Sequence, residues 1–135
     1  MRTRGAFFLL VAAGLSPLAA QDTTTGPDGA QVFQMVCSMC HSVNPPPKAA
    51  PPMSHATGFY LQQHQTREAA AAAIVAYLKQ PDSTRSALPA HAIARFGLMP
   101  SQAHLTDAQL EAVARYVLTL ADTTHRMPMG PPGAP

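Results

Sequence analysis

The chain has 135 residues, with nine Lys or Arg, seven Asp or Glu and six His, and a formal net charge of +2. Two basic residues lie before residue 20 and every acidic residue lies after it, so residues 21–135 carry seven charges of each sign. This balance argues against a nucleic-acid partner, which needs a concentrated basic surface, and the remaining length of about 115 residues suits one small domain.

Residues 1–20 are predicted to be a secretory signal peptide. Arg2 and Arg4 precede an apolar run from Gly5 to Leu15, and small residues follow as far as Ala20. The apolar run is too short to cross a hydrocarbon core about 30 Å thick as a helix. We therefore expect a soluble protein, periplasmic or otherwise exported and without stable membrane insertion; an uncleaved membrane anchor is the alternative.

The first helix is expected over residues 29–40. Residues 21–27 are polar and rich in turn formers, which predicts a flexible lead-in. Apolar residues and cysteines then recur at steps of three and four, and Asp28 is a suitable N-cap. A cluster of prolines cannot lie inside a helix, so residues 44–58 are predicted to be a stiff, extended loop.

Two helices are expected in the middle of the chain. Residues 67–79 contain a run of alanines, with Thr66 as a suitable N-cap, and carry the strongest intrinsic helix signal in the sequence. A short helix over residues 91–96 is expected to end at Gly97.

The last helix is predicted to begin after Thr106, which can form a capping box with Gln109. Its expected apolar face consists of Leu110, Val113, Val117 and Leu120. No stretch alternates with the period of a strand, so the predicted fold class is all-α, with three to five helices in a domain over residues 28–122. Residues 123–135 are rich in Pro and Gly and are predicted to be a disordered tail. The tail also contains the soft copper ligands His125, Met127 and Met129.

The motif that carries chemistry is C-x-x-C-H, formed by Cys37, Cys40 and His41. This is the attachment signature of a c-type haem. Two thiols one helical turn apart can each add to a vinyl group of the porphyrin, and the adjacent imidazole then lies beneath the iron. A haem would also supply an apolar centre for a chain that has no tryptophan.

Three other uses of these residues compete with haem attachment. A thioredoxin-like dithiol should follow a strand, and a zinc site with three ligands in five residues would strain a tetrahedral shell. A structural disulfide between Cys37 and Cys40 would close too small a loop to stabilise the fold much. A packed pair of cysteines with no chemical use would leave the adjacent histidine and the export signal unexplained.

Residues 28–122 resemble the small class I cytochromes c. The resemblance rests on a haem motif at the end of the first helix, a proline-rich loop, a middle helix, a Met-Pro loop and a closing amphipathic helix. It implies a cytochrome c fold around one covalently bound haem. It also implies that the first and last helices cross through Gly29 and Phe33 against Tyr116.

The resemblance also implies an axial ligand pair. His41 is the expected proximal ligand, and Met99, in the loop before the last helix, is the expected distal ligand. A carbonyl at about Pro51 is expected to accept the proton on the far nitrogen of His41. Met53 is the next methionine candidate. Five histidines are alternative distal ligands: His55, His64, His91, His104 and His125.

The function expected from these features is electron transfer. A methionine and a histidine on the iron would raise its potential and leave no open site, so we expect the protein to exchange single electrons with redox proteins. We expect a monomer, and an electron carrier that is not an enzyme. Two alternatives remain, namely a haem subunit of an exported dehydrogenase or reductase, and a ligand-binding haem sensor.

Overall fold

The computed structural model describes residues 26–122, which contain five α-helices, a π-helix and no β-strand. The elements are α1 (Gly29–Val32), its continuation as a π-helix (Phe33–Cys37), α2 (Met53–Gln63), α3 (Arg67–Lys79), α4 (Ala90–Phe96) and α5 (Asp107–Thr119). The predicted all-α fold is confirmed. The signal peptide predicted over residues 1–20 and the tail predicted over residues 123–135 lie outside the described residues. No helix within residues 26–122 is long and apolar enough to cross a membrane.

The first helix is shorter than predicted and changes its winding. Asp28 caps it as expected, since its carboxylate accepts a hydrogen bond from the N–H of Ala30 at 2.9 Å. Beyond Val32 the chain widens to π geometry, in which the N–H of Ser38 donates to the carbonyl of Phe33 at 2.9 Å. The prediction that the helix reaches Cys40 was wrong. The carbonyl of Cys37 accepts hydrogen bonds from the N–H groups of Cys40 and His41, and these bonds form a turn that ends the helix.

Helix α2 corrects the predicted loop over residues 44–58. It begins after Pro52, and the carbonyl of Pro52 accepts hydrogen bonds from the next turn, as a proline at a helix start allows. Its first half has no capping side chain and includes Ser54, Thr57 and Gly58, all poor helix formers. The helix buries Ser54, Ala56, Thr57 and Tyr60. Burial against the rest of the domain therefore stabilises a segment that the sequence alone favours only weakly.

The other helices agree with the sequence. Thr66 caps α3, and Thr106 and Gln109 form both hydrogen bonds of the predicted capping box at the start of α5. The predicted α5 face omitted Leu118, which is buried, whereas Leu120 lies at the C-cap and is partly buried against the core. The buried residues of α5 are Leu110, Val113, Ala114, Val117 and Leu118.

The crossing of α1 with α5 fixes the start of the haem motif. The rings of Phe33 and Tyr116 pack with their centroids 5.7 Å apart. A Cβ atom at Gly29 would lie 2.2 Å from the carbonyl oxygen of Ala112. Only glycine therefore permits this approach of the two backbones, and the expected contact of Gly29 and Phe33 with Tyr116 is present. The π-helix follows α1 directly and ends at Cys37, so the crossing also helps to position Cys37.

Candidate functional site

A cavity of about 280 Å³ lies between the haem motif, the middle helices and the loop before α5. Most of its walls are apolar, from Val36 at the π-helix to Val113 and Val117 on α5. No Lys, Arg, Asp or Glu of the described residues lines it. Such a cavity suits a large apolar group that needs a few polar contacts, as is usual for cofactor sites.

Both cysteines of the motif line this cavity, and no disulfide joins them. Cys37 is partly buried at the end of the π-helix, and Cys40 is exposed one turn later. Burial raises the pKa of the Cys37 thiol, which keeps it protonated at neutral pH. The turn that ends the helix thus presents two thiols to one cavity, with His41 beside them.

His41 is held by a hydrogen bond to the proline-rich loop. Its Nδ1 lies 2.8 Å from the carbonyl oxygen of Pro51. A carbonyl oxygen can only accept, so Nδ1 carries the proton and Nε2 keeps its lone pair. Burial lowers the pKa of His41, and the bond to Pro51 opposes this effect. The loop is itself fixed to the motif, because the N–H of Ala50 donates to the carbonyl of Cys40 at 3.0 Å.

Two methionines, Met99 and Met53, also line the cavity. Met53 is held close to the C-x-x-C-H motif, because its N–H donates at 2.9 Å to the carbonyl of Ser42, the residue that follows His41. Met99 comes instead from the loop between α4 and α5 and packs against the hydrophobic core. Of the two thioethers, only that of Met99 is therefore supplied by a segment remote from His41.

The other histidines lie elsewhere. His55, His91 and His104 are exposed, and His64 is stacked on Tyr60 at a centroid distance of 6.5 Å. None of these four lines the cavity, and His125 lies outside the described residues, as do Met127 and Met129. Within residues 26–122, no group of three His, Cys, Asp or Glu side chains could hold a metal ion such as zinc.

Tyr60 gives an independent test of whether the cavity fits a haem. Its hydroxyl is buried and has no hydrogen-bond partner within residues 26–122. The carbonyl of Ala87 lies near enough to lower the pKa of Tyr60 slightly, and it accepts a hydrogen bond from Gln63 Nε2 at 2.9 Å. A buried hydroxyl without a partner is costly, so a bound group with an acceptor oxygen is expected here. A haem supplies such acceptors through its carboxylates, so this hydroxyl is compatible with a bound haem, as are the two cysteines and His41.

Tyr60 and Tyr77 were not singled out as cavity residues from the sequence. Both face the cavity from α2 and α3. Burial, with a smaller contribution from Tyr77, raises the pKa of Tyr60 to about 12. No sequence signal distinguishes them from core aromatic residues, because they belong to helices with little amphipathic pattern.

Comparison with known protein families agrees with this geometry. The family model for cytochrome c matches residues 27–121, and the chain belongs to that family. No curated protein and no solved structure matches the chain. The protein is a haem-binding electron-transfer cytochrome, and Cys37 and Cys40 have the spacing needed to attach haem c covalently.

Proposed function

We propose that this protein is an exported single-electron carrier whose haem iron is bound by His41 Nε2 and Met99 Sδ. The observation that carries the proposal is that one cavity collects the two thiols, His41 and Met99 from opposite parts of the chain. When bound, the haem supplies a one-electron couple. With an imidazole and a thioether on the iron, its reduced state is favoured more than with two imidazoles.

The residues around His41 prepare it for this role. The carbonyl of Pro51 holds the proton on Nδ1, which fixes the tautomer and directs Nε2 into the cavity. Burial lowers the pKa of the imidazole, and this favours the neutral form that a ligand requires. The apolar walls exclude water and restrict solvent reorganisation around the haem.

The ligand proposal is tested by exchanging the two cavity methionines separately. The haem-loaded Met99→Leu protein should lose the weak red absorption band that reports an iron–sulfur bond in the oxidised state. It should also bind carbon monoxide when reduced and have a lower midpoint potential. Met53→Leu is the matched control, since Met53 lines the same cavity, and it should keep the band. A wild-type protein without the band, or a Met53→Leu variant that loses it, would refute the assignment.

Surface apolarity favours a freely diffusing carrier over a permanent subunit of a larger enzyme. Among residues 26–122, the exposed large apolar side chains are Met35, Met39 and Leu98. Met39 lies between the two cysteines and is 79% exposed, and Leu98 is 46% exposed beside Met99. These few exposed apolar side chains, two of which adjoin residues that line the cavity, suit brief docking with redox proteins. Sedimentation of the native protein should give a monomer, and a second chain that stays bound through purification would favour the subunit alternative.

Export is inferred from residues 1–20. Covalent attachment suits a compartment where lost haem cannot be replaced. The intact mass of the protein from its natural source should correspond to residues 21–135 plus one haem. A mass that retains the first twenty residues would contradict cleavage.

A further inference from the structure

The loop that carries Met99 is fixed at a few points. It runs from Gly97, where α4 ends, to Thr106, where α5 is capped. Within the described chain, neither Leu98 nor Met99 makes a hydrogen bond through its backbone. Besides its packing against the hydrophobic core, Met99 is held through its neighbours in the loop, by the bond of the Gly97 N–H to the carbonyl of Ile93 at 2.8 Å before it and by the anchors that follow it.

Those anchors lie on the last turn of α3. The N–H of Gln102 donates to the carbonyl of Leu78 at 2.7 Å, and the hydroxyl of Ser101 donates to the carbonyl of Lys79 at 2.6 Å. The final carbonyls of a helix have no partner within the helix, so they are available to such donors. The hydroxyl of Ser101 also accepts from the N–H of Ala103 at 3.2 Å, which directs its proton toward Lys79.

The same turn of α3 forms part of the haem cavity. Leu78 and Tyr77 line the cavity, while the carbonyls of Leu78 and Lys79 hold the loop. The Lys79 ammonium also pairs with the Asp107 carboxylate at 2.7 Å, but both groups are exposed and the pair contributes little. The two hydrogen bonds thus tie the Met99 loop to a helix turn that lines the same cavity as Met99.

We propose that Ser101 is a positioning residue for Met99, whose hydrogen bond to the Lys79 carbonyl sets how easily an external ligand displaces the methionine sulfur. This inference rests on the proposed ligation of the iron by Met99. A loop without this bond gains freedom, and the open state that an external ligand requires is then more populated. Loss of one neutral hydrogen bond changes such a population by about three- to tenfold.

The test is a titration of the oxidised, haem-loaded protein with imidazole. Ser101→Ala should keep the iron–sulfur band when imidazole is absent and bind imidazole about three- to tenfold more tightly than wild type. Ser101→Thr keeps the hydroxyl and should restore the wild-type affinity. Thr119→Val is the matched control, because its hydroxyl is also exposed and donates to a carbonyl, that of Tyr116, at 2.6 Å within α5. It should leave the affinity unchanged.

The outcomes separate the two proposals. A wild-type protein without the iron–sulfur band refutes ligation by Met99, and the role of Ser101 with it. A wild-type protein with the band, together with an unchanged imidazole affinity in Ser101→Ala, refutes the role of Ser101 alone. Equal tightening in Ser101→Ala and Thr119→Val also refutes it, because the effect would then reflect a general loss of stability.

Discussion

Replacement of Gly29 by alanine tests the crossing of α1 with α5. The new Cβ would lie 2.2 Å from the Ala112 carbonyl oxygen and 2.8 Å from Tyr116 Cβ. Overpacking costs about 1–3 kcal/mol where side chains can move, and here the obstacle is the backbone of α5, so about 3 kcal/mol is expected. The better helix propensity of alanine returns at most about 1 kcal/mol. The net loss of about 2 kcal/mol should lower the melting temperature by roughly 10 °C.

Thermal and guanidinium unfolding of the haem-loaded protein provide the assay. Gly58→Ala is the matched control, because Gly58 also lies in a helix but its Cβ would meet only the Asp122 carbonyl oxygen, at 3.9 Å. This variant should gain up to about 1 kcal/mol from helix propensity. If Gly29→Ala melts at the wild-type temperature, α1 and α5 can move apart without a loss of stability. The prediction that α5 leaves no room for a Cβ at residue 29 is then wrong.

Two further variants address a helix cap and a buried hydroxyl. Thr106→Ala removes the capping box of α5 and should lower the free energy of unfolding by about 1 kcal/mol in denaturant titrations; an unchanged midpoint would contradict it. Burial raises the folded-state pKa of Tyr60 to about 12, above its unfolded value. The pH-dependent stability linked to its protonation is therefore fully present below pH about 10 and is lost as the pH rises toward 12. Between pH about 8 and about 11, the free energy of unfolding should therefore fall less in Tyr60→Phe than in wild type, as measured by denaturant titrations at each pH. An equal fall in the two proteins would contradict the raised pKa of Tyr60.

Much of the fold was accessible from local sequence signals. The bounds of α3 and the capping box of α5 followed from side chains that bond to backbone groups within four residues. The π-helix was not predicted, because the apolar spacing of Val32, Phe33 and Val36 fits an ordinary helix as well. The structure gives no local reason for the change of winding, which begins one turn after the close contact of Gly29 with α5.

Helix α2 shows the same limit. Its prolines and poor helix formers predicted a loop, and the burial of Ala56 and Tyr60 against distant residues reversed that preference. The burial of the Tyr60 hydroxyl, which has no hydrogen-bond partner among residues 26–122, and the anchoring of Ser101 on Lys79 are likewise invisible in the sequence, since each depends on segments that meet only after folding.

The sequence by itself determined the covalent chemistry of this protein. Cys37, Cys40 and His41 are neighbours in the chain, so their reactive spacing is present before any tertiary contact forms. The tertiary structure decided what surrounds that motif. It places the Pro51 carbonyl against His41, and it brings Tyr60 and Met99 to the same cavity. These contacts join residues far apart in sequence, and they form only because burying the apolar faces of the helices offsets the entropy of closing the loops between them.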